Sequence, residues 1–289
     1  MKTSTEIRSI AWLVGEEKAV EYVARAGFDA WDFTMQEMCH FDRVTRCFLK
    51  SDHPTAGPDY LPFARKLKQI GQDNGIMCNQ SHAPFPVSIP EIRDHLKRAI
   101  ECTAEAGGKI CVIHPDNNAT PEKNAEMYRE LLPFAKQHGV KLAAENMWNW
   151  DKTVDRCKPA ACATPDSFCR HIDLVGDEDM VACLDIGHAE MRGNTTSALE
   201  LIRALGPRLQ AVHLHDNDRW HDRHQIPFSG EIDFYAVLRE LKAIGYQGDL
   251  TLEAYGYMKQ HTADTAFDGV LALCESVKKL KHIFEGMDV

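Results

Sequence analysis

The sequence predicts a single α/β domain folded as a (β/α)8 barrel, the architecture also called a TIM barrel, over residues 1–289. Three observations predict it. Short apolar runs alternate with longer segments of helical periodicity, and eight such units fill the chain end to end. The length of 289 residues exceeds the roughly 250 that one barrel needs. Polar residues able to do chemistry recur at one end of the apolar runs, as they do where barrel strands feed an active-site face. An open doubly wound sheet is the alternative for such alternation, but its phosphate-binding G-x-G-x-x-G is absent.

The strand candidates are Ile7–Leu13, Ala30–Thr34, Met77–Ser81, Ile110–His114, Lys141–Asn146, Val181–Asp185, Ala211–His215 and Leu250–Ala254. The helical candidates are Glu16–Ala26, Tyr60–Asn74, Pro90–Ala106, Pro121–His138, Pro165–His171, Thr196–Leu205, Phe234–Ile244 and Asp264–Phe284. Pro90 and Pro121 stand where proline suits a first helical turn, and Gly75, Gly139, Gly206 and Gly245 follow helical runs as C-terminal caps. Two connections, 36–58 and 147–164, are longer than a simple βα turn. Both follow a strand, so both are expected on the active-site face as lids or binding loops.

Composition narrows the class. Hydrophobic residues make up 44% and charged residues 26%, an ordinary globular balance. No run of 18 apolar residues offers a membrane span. The start, MKTSTEIRSI, has no apolar core behind its lysine, which predicts no secretory signal and a cytoplasmic protein. The net charge of −10 weighs against a nucleic-acid partner, because phosphate neutralisation needs a basic surface. Ten cysteines form no C-x-x-C pair and read as reduced thiols; Cys111 and Cys183 lie in apolar runs. The spacing of Cys157, Cys162 and Cys169 departs from the common zinc patterns.

The strand ends carry the chemistry. SHAPF ends in His82, VIHP in His114, AAEN holds Glu145, and CLDIGH holds Asp185 and His188. VHLHDND holds His213 and His215, the following HDRHQ holds Asp222 and His224, and LTLEAY holds Glu253. A single strand-end histidine is more often a hydrogen-bonded core residue than a ligand, and Glu253 alone could pair with an arginine. Independent core residues have no reason to favour one end of six successive strands. A buried charge costs several kcal/mol unless it is paired or metal-bound. Two glutamates, one aspartate and one histidine form an oxygen-rich set for one divalent ion, Mn, Mg or Co, with Zn also compatible. His53, His95, His138, His171 and His261 read as surface residues. Trp12, Trp148, Trp150 and Trp220 lie at or after strand candidates, where they could wall a sugar pocket.

SHAPF, AAEN, CLDIGH, VHLHDND with DRHQIPFSGEIDF, and LTLEAY together resemble the xylose isomerase-like barrel superfamily, over roughly residues 75–255. That group includes ketose 3-epimerases, inosose-processing proteins and endonuclease IV. In its epimerase branch, the resemblance implies that Glu145, Asp185, His213 and Glu253 hold one divalent ion and that Glu145 and Glu253 are the acid/base pair. It implies substrate contacts from His188 and Arg219. Around the four ligands His82, His114, His188, Asp222 and His224 form a ring that could hold substrate or further metal, and Trp12 and Trp148 could serve as walls. A family glutamate falls on Asp151, a shorter acid. The implied activity is isomerisation or epimerisation of a carbohydrate, phosphorylated or not, in a protein open to homo-oligomerisation. The endonuclease IV branch implies three zinc ions on His82, His114, Glu145, Asp185, His188, His213, Asp222, His224 and Glu253; the acidic charge and the lack of a basic wedging loop weigh against it. A metal-dependent lyase or deglycosidase, or a non-catalytic subunit of a carbohydrate pathway, are further alternatives.

Overall fold

A computed structural model of the protein describes residues 1–287; the last two residues of the expected domain lie outside them. The eight parallel strands are β1 (Thr3–Thr5), β2 (Ala30–Thr34), β3 (Met77–His82), β4 (Ile110–Val112), β5 (Lys141–Glu145), β6 (Met180–Asp185), β7 (Leu209–Leu214) and β8 (Leu250–Leu252). They pair in sequence from β2 round to β8, and β8 pairs with β1. A parallel bridge from Glu6 to Asp32 brings β1 back beside β2 and closes the barrel.

Seven of the eight strands coincide with the sequence expectation to within three residues. The first does not. Ile7–Leu13 lies almost wholly in helix α1 (Arg8–Val14), and the strand is the preceding Thr3–Thr5. Its three side chains are buried hydroxyls that have partners within the barrel: Thr3 Oγ donates to Asp29 at 3.1 Å and Ser4 Oγ to Asn79 at 2.9 Å. An apolar run as short as IRSIAWLV fits helix or strand by periodicity alone.

Period-2 alternation splits the strands into two faces. Outward residues meet the helices in one large core, including Leu67, Leu96, Leu131, Phe168, Leu201 and Val237. Val112, Ala143, Val181, Cys183 and Ala211 form a second, small-residue cluster inside the barrel. Two residues further along the same face stand His114, Glu145, Asp185 and His213. The pleat that packs the interior therefore also aims the polar residues at the barrel mouth.

Helix starts follow their caps. Thr120, Thr164 and Asp233 each accept a backbone N–H of the first turn, and Ser197 with Glu200 completes a capping box. The helix expected from Pro90 spans Ile92–Ala106. His171, expected on the surface, is buried and bonded to Asn124 at 3.1 Å and to the Ser167 carbonyl at 2.7 Å. Among the described residues no helix is long and apolar enough to cross a membrane, and no cysteine joins a metal-sized group.

Both long loops carry a two-stranded antiparallel ribbon. One pairs His40–Asp42 with Cys47–Leu49, the other Trp148–Asp151 with Arg156–Pro159. The second ribbon rests on Gly193, whose φ is 118° and whose place a Cβ could take only at 2.0 Å from the Cys157 carbonyl oxygen. Both the backbone angle and the contact exclude a side chain there. Gly193→Ala is expected to cost about 3 kcal/mol of stability. Denaturant unfolding checks this; a midpoint equal to that of the parent would mean that the ribbon can shift at no cost.

Candidate metal centre and cavity

Glu145 ends β5 and is 1% exposed. Its Oε2 lies 3.1 Å from His82 Nε2 and 3.3 Å from His114 Nε2, and its Oε1 lies 3.3 Å from His213 Nδ1. Glu253, just beyond β8, reaches the same point from the other side, with Oε2 3.6 Å from His213 Nδ1. Asp185, at the end of β6, completes a group in which one donor atom from each of Glu145, Asp185, His213 and Glu253 lies within 4.8 Å of every other.

The backbone fixes these side chains. Asn146 donates to the Asp185 carbonyl at 2.9 Å and accepts the Asp185 N–H at 2.8 Å, so its amide continues the β5–β6 ladder by one rung. Asp185 Oδ1 accepts the His188 N–H at 2.6 Å and caps the short helix α7 (Ile186–Glu190). His215 Nε2 donates to Asp185 Oδ1 at 3.0 Å. The His215 ring stacks on His224 at 3.7 Å and fills the space beside Gly187, where a Cβ would lie 1.9 Å from it.

A second group gathers above. His188 Nδ1–H donates to the Asn146 carbonyl at 3.0 Å and His224 Nδ1–H to the Glu253 carbonyl at 2.7 Å. Each ring then turns Nε2 toward Asp222, at 3.3 and 3.0 Å. With Nδ1 protonated, two nitrogen lone pairs face a carboxylate, an arrangement that a proton or a cation must relieve. His188, His215, Asp222 and His224 form one metal-sized group, and His82, His114 and Glu145 form another.

Electrostatics follow from crowding. Burial alone would raise the Glu145 carboxyl, but the imidazoles of His213, His114 and His82 outweigh it and hold the carboxyl well below its usual range. Burial, with Glu145 and Asp185 nearby, pushes Glu253 well above it. Burial likewise pushes the His82 imidazole down to about 4. Buried polar atoms are normally satisfied. Here Glu145 Oε1, both ring nitrogens of His213, His215 Nδ1 and Asp222 Oδ1 are buried without a hydrogen-bond partner. A set of carboxylates and imidazoles with free, converging donor atoms is what a divalent cation satisfies, so these residues fit a metal.

Asp32 was not legible from the strand ends. It lies inside β2, 1% exposed, with Oδ2 3.7 Å from His213 Nε2. Gln80 Nε2 donates to it at 2.9 Å and Thr34 at 3.2 Å. Gln80 in turn meets Thr251, Thr251 meets Asn79 and Asn79 meets Ser4, a polar chain through the barrel interior. A charged residue within the run AWDFT was the signal available.

The groups open on a cavity of about 580 Å³ at the C-terminal ends of the strands. His82, His114, Glu145, His188, Asp222, His224 and Glu253 reach its surface, as does Trp148. Asp185 and His213 lie beneath the floor. Three expected residues go elsewhere. Arg219, in the left-handed conformation with φ 61°, turns to Glu190, pairing at 3.2 Å, and does not line the cavity. Trp12 is 41% exposed beneath Arg8 and bonds Glu37 at 3.2 Å. Asp151 holds its own ribbon turn through Thr153.

Residues 20–276 match the family described as xylose isomerase-like TIM barrel. An uncharacterized protein of Methanocaldococcus jannaschii is 26% identical over 253 residues, covering 81% of this chain and 78% of its own. Among solved structures, a D-tagatose 3-epimerase-like protein superimposes with a TM-score of 0.72 at 22% identity, over 99% of this chain and 98% of its own. The IolI protein with a bound zinc atom gives 0.73 at 18% identity, over 99% and 100%. At such identity these structures establish a shared fold.

Asp32→Asn keeps the shape and removes the charge facing His213. It is expected to weaken divalent-cation binding about 10–100-fold. Equilibrium titration with Mn or Zn checks this, and an unchanged affinity would separate Asp32 from the metal centre.

Proposed function

The chain belongs to the xylose isomerase-like TIM barrel family, and from that membership we propose that it is a divalent-metal-dependent sugar isomerase or epimerase working by proton transfer. One observation carries the reading: Glu145 and Glu253, from strands three apart in the barrel, meet with Asp185 and His213 in one buried group at the floor of the cavity. The D-tagatose 3-epimerase-like relative, and the zinc bound to IolI, agree in kind with a metal-dependent sugar enzyme.

Glu145, Asp185, His213 and Glu253 would hold the ion. A bound divalent cation there supplies Lewis-acid polarisation of a substrate carbonyl and its neighbouring hydroxyl. In this reading one glutamate takes the proton from the carbon beside the carbonyl, leaving a flat enediolate. The other glutamate returns a proton. Delivery to the opposite face of the same carbon inverts it and gives an epimer; delivery to the neighbouring carbon gives the aldose–ketose isomer. His188, His82 and His114 line the cavity beside the glutamates and hold the substrate hydroxyls. Asp222 and His224 continue the wall beside His188. His215 acts through Asp185, keeping that carboxylate aimed, and is a positioning residue.

A second reading has its own observation. The nine residues that endonuclease IV-like chemistry would use for three zinc ions fall, together with His215, into four metal-sized groups, with His82, Glu145, His213 and Glu253 each shared between two of them. Metal content separates the readings. One ion per chain supports the isomerase, whereas three zinc ions with cleavage of abasic DNA would replace it.

Activity is expected as solvent-hydrogen exchange at the carbon beside the carbonyl of a ketose, ketose phosphate or inosose, lost on chelation and restored by Mn, Mg, Co or Zn. Glu145→Gln and Glu253→Gln should each slow exchange about 10²–10⁴-fold. Mass spectrometry in deuterium oxide measures it. Exchange intact in both variants would remove the proton-transfer mechanism.

A further inference from the structure

We propose that the cavity carries a second saccharide subsite above β4 and β5, so that the substrate is a keto-sugar joined to a further sugar ring. The proposal rests on the sugar reading for its first ring only.

The metal-sized groups occupy one part of the cavity. Its volume, about 580 Å³, falls within the roughly 300–1,000 Å³ of small-molecule sites in general and extends beyond those groups. From the inner groups a row of rings leads outward. The His188 ring lies 6.4 Å from Trp148, Trp148 lies 6.3 Å from Trp150, and Trp150 stacks on His221 at 6.1 Å with planes 21° apart. Trp150 is braced as well by its Nε1–H, which donates to Asp155 at 3.2 Å. The platform is therefore built before any ligand arrives.

Amides run beside the rings. Asn117 Nδ2 donates to the Trp148 carbonyl at 3.0 Å and to Asn149 Oδ1 at 3.2 Å, and Asn149 Nδ2 donates to Asn118 Oδ1 at 3.1 Å. All of these residues line the cavity. An indole face suits the C–H face of a pyranose, and amides offer both donors and acceptors to its hydroxyls. An anionic group has little to meet at this end. Among the described residues lining the cavity the cations are Arg8 and Arg43, which follow β1 and β2 across the barrel, and Arg8 is paired with Glu37 at 2.8 Å. The net charge of −10 likewise disfavours stacked nucleotides as occupants of the tryptophan row.

The test is a binding experiment that needs no turnover. Methyl glucoside and a panel of α- and β-linked methyl disaccharides lack a carbonyl and cannot react. Calorimetry on the metal-loaded protein should find at least one disaccharide bound about tenfold tighter than the monosaccharide. Trp150→Ala should reduce that advantage severalfold, and Trp150→Phe, which keeps a ring, should retain part of it. Equal affinity for one and two rings, an advantage untouched in Trp150→Ala, or tighter binding of a single-stranded oligonucleotide than of any disaccharide would each overturn the proposal. Disaccharide binding without hydrogen exchange on any keto-sugar would leave the subsite standing and remove only the isomerase reading.

Discussion

Four carboxylates, those of Asp32, Glu145, Asp185 and Glu253, are withdrawn from water within one barrel, each no more than 6% exposed. Removing a carboxylate from water costs several kcal/mol, and like charges in a low-dielectric interior repel. The surrounding structure is arranged to offset this. His213 stands between Glu145 and Glu253 on one nitrogen and Asp32 on the other. Asp185 is held by His215 and by a helix N-terminus, whose dipole favours negative charge. Below the carboxylates, Val112, Ala143, Val181, Cys183 and Ala211 fill the barrel with apolar side chains. Glu145 Oε1 and His213 Nδ1, both without a hydrogen-bond partner, face one another at 3.3 Å at the centre, where a cation would complete the balance.

That balance dictates what the loops must do. Water reaching the carboxylates would relieve their repulsion and weaken every interaction between them. The two ribbons, set over β2 and β5, wall the approach, and the loop after β7 supplies Asp222 and His224 to the centre. That loop holds Arg219, His224 and Phe228 in left-handed backbone conformations. Such residues persist only where the surroundings over-determine them. For His224 the determinants are its bond to the Glu253 carbonyl and its stacking between His215 and Tyr255. For Arg219 the same geometry turns the side chain to Glu190, away from the cavity to which the family resemblance had assigned it.

Most of the barrel was legible because period-2 runs and 3.6-residue periodicity differ wherever apolar residues define one face. β1 was not, because its buried face is hydroxyl: Thr3, Ser4 and Thr5 satisfy themselves by hydrogen bonds, and the apolar signal belongs to the helix that follows. The strand-end residues were legible as exceptions to apolar strands. Asp32 is the same kind of exception, but it stands within its strand rather than at the end, where the other exceptions cluster. The burial of His171 was hidden for another reason. A histidine on a helix carries no mark of depth, and only the tertiary packing of the Pro121–Gln137 helix against the Pro165–Asp173 helix brings Asn124 to it. Side-chain direction in loops, as for Arg219 and Asp151, depends on turn geometry that residue spacing does not encode.

The contact between Gly187 and His215 reaches beyond this one molecule. The imidazole occupies the volume that any side chain at 187 would need, so the two positions share a fixed space. Among related chains their sizes should vary in opposite senses: where residue 215 is small, residue 187 is free to grow, and where 215 is a ring, 187 stays glycine. A reciprocal size pattern of this kind would mark which members brace the β6 aspartate from behind with an imidazole and which leave that support to something else.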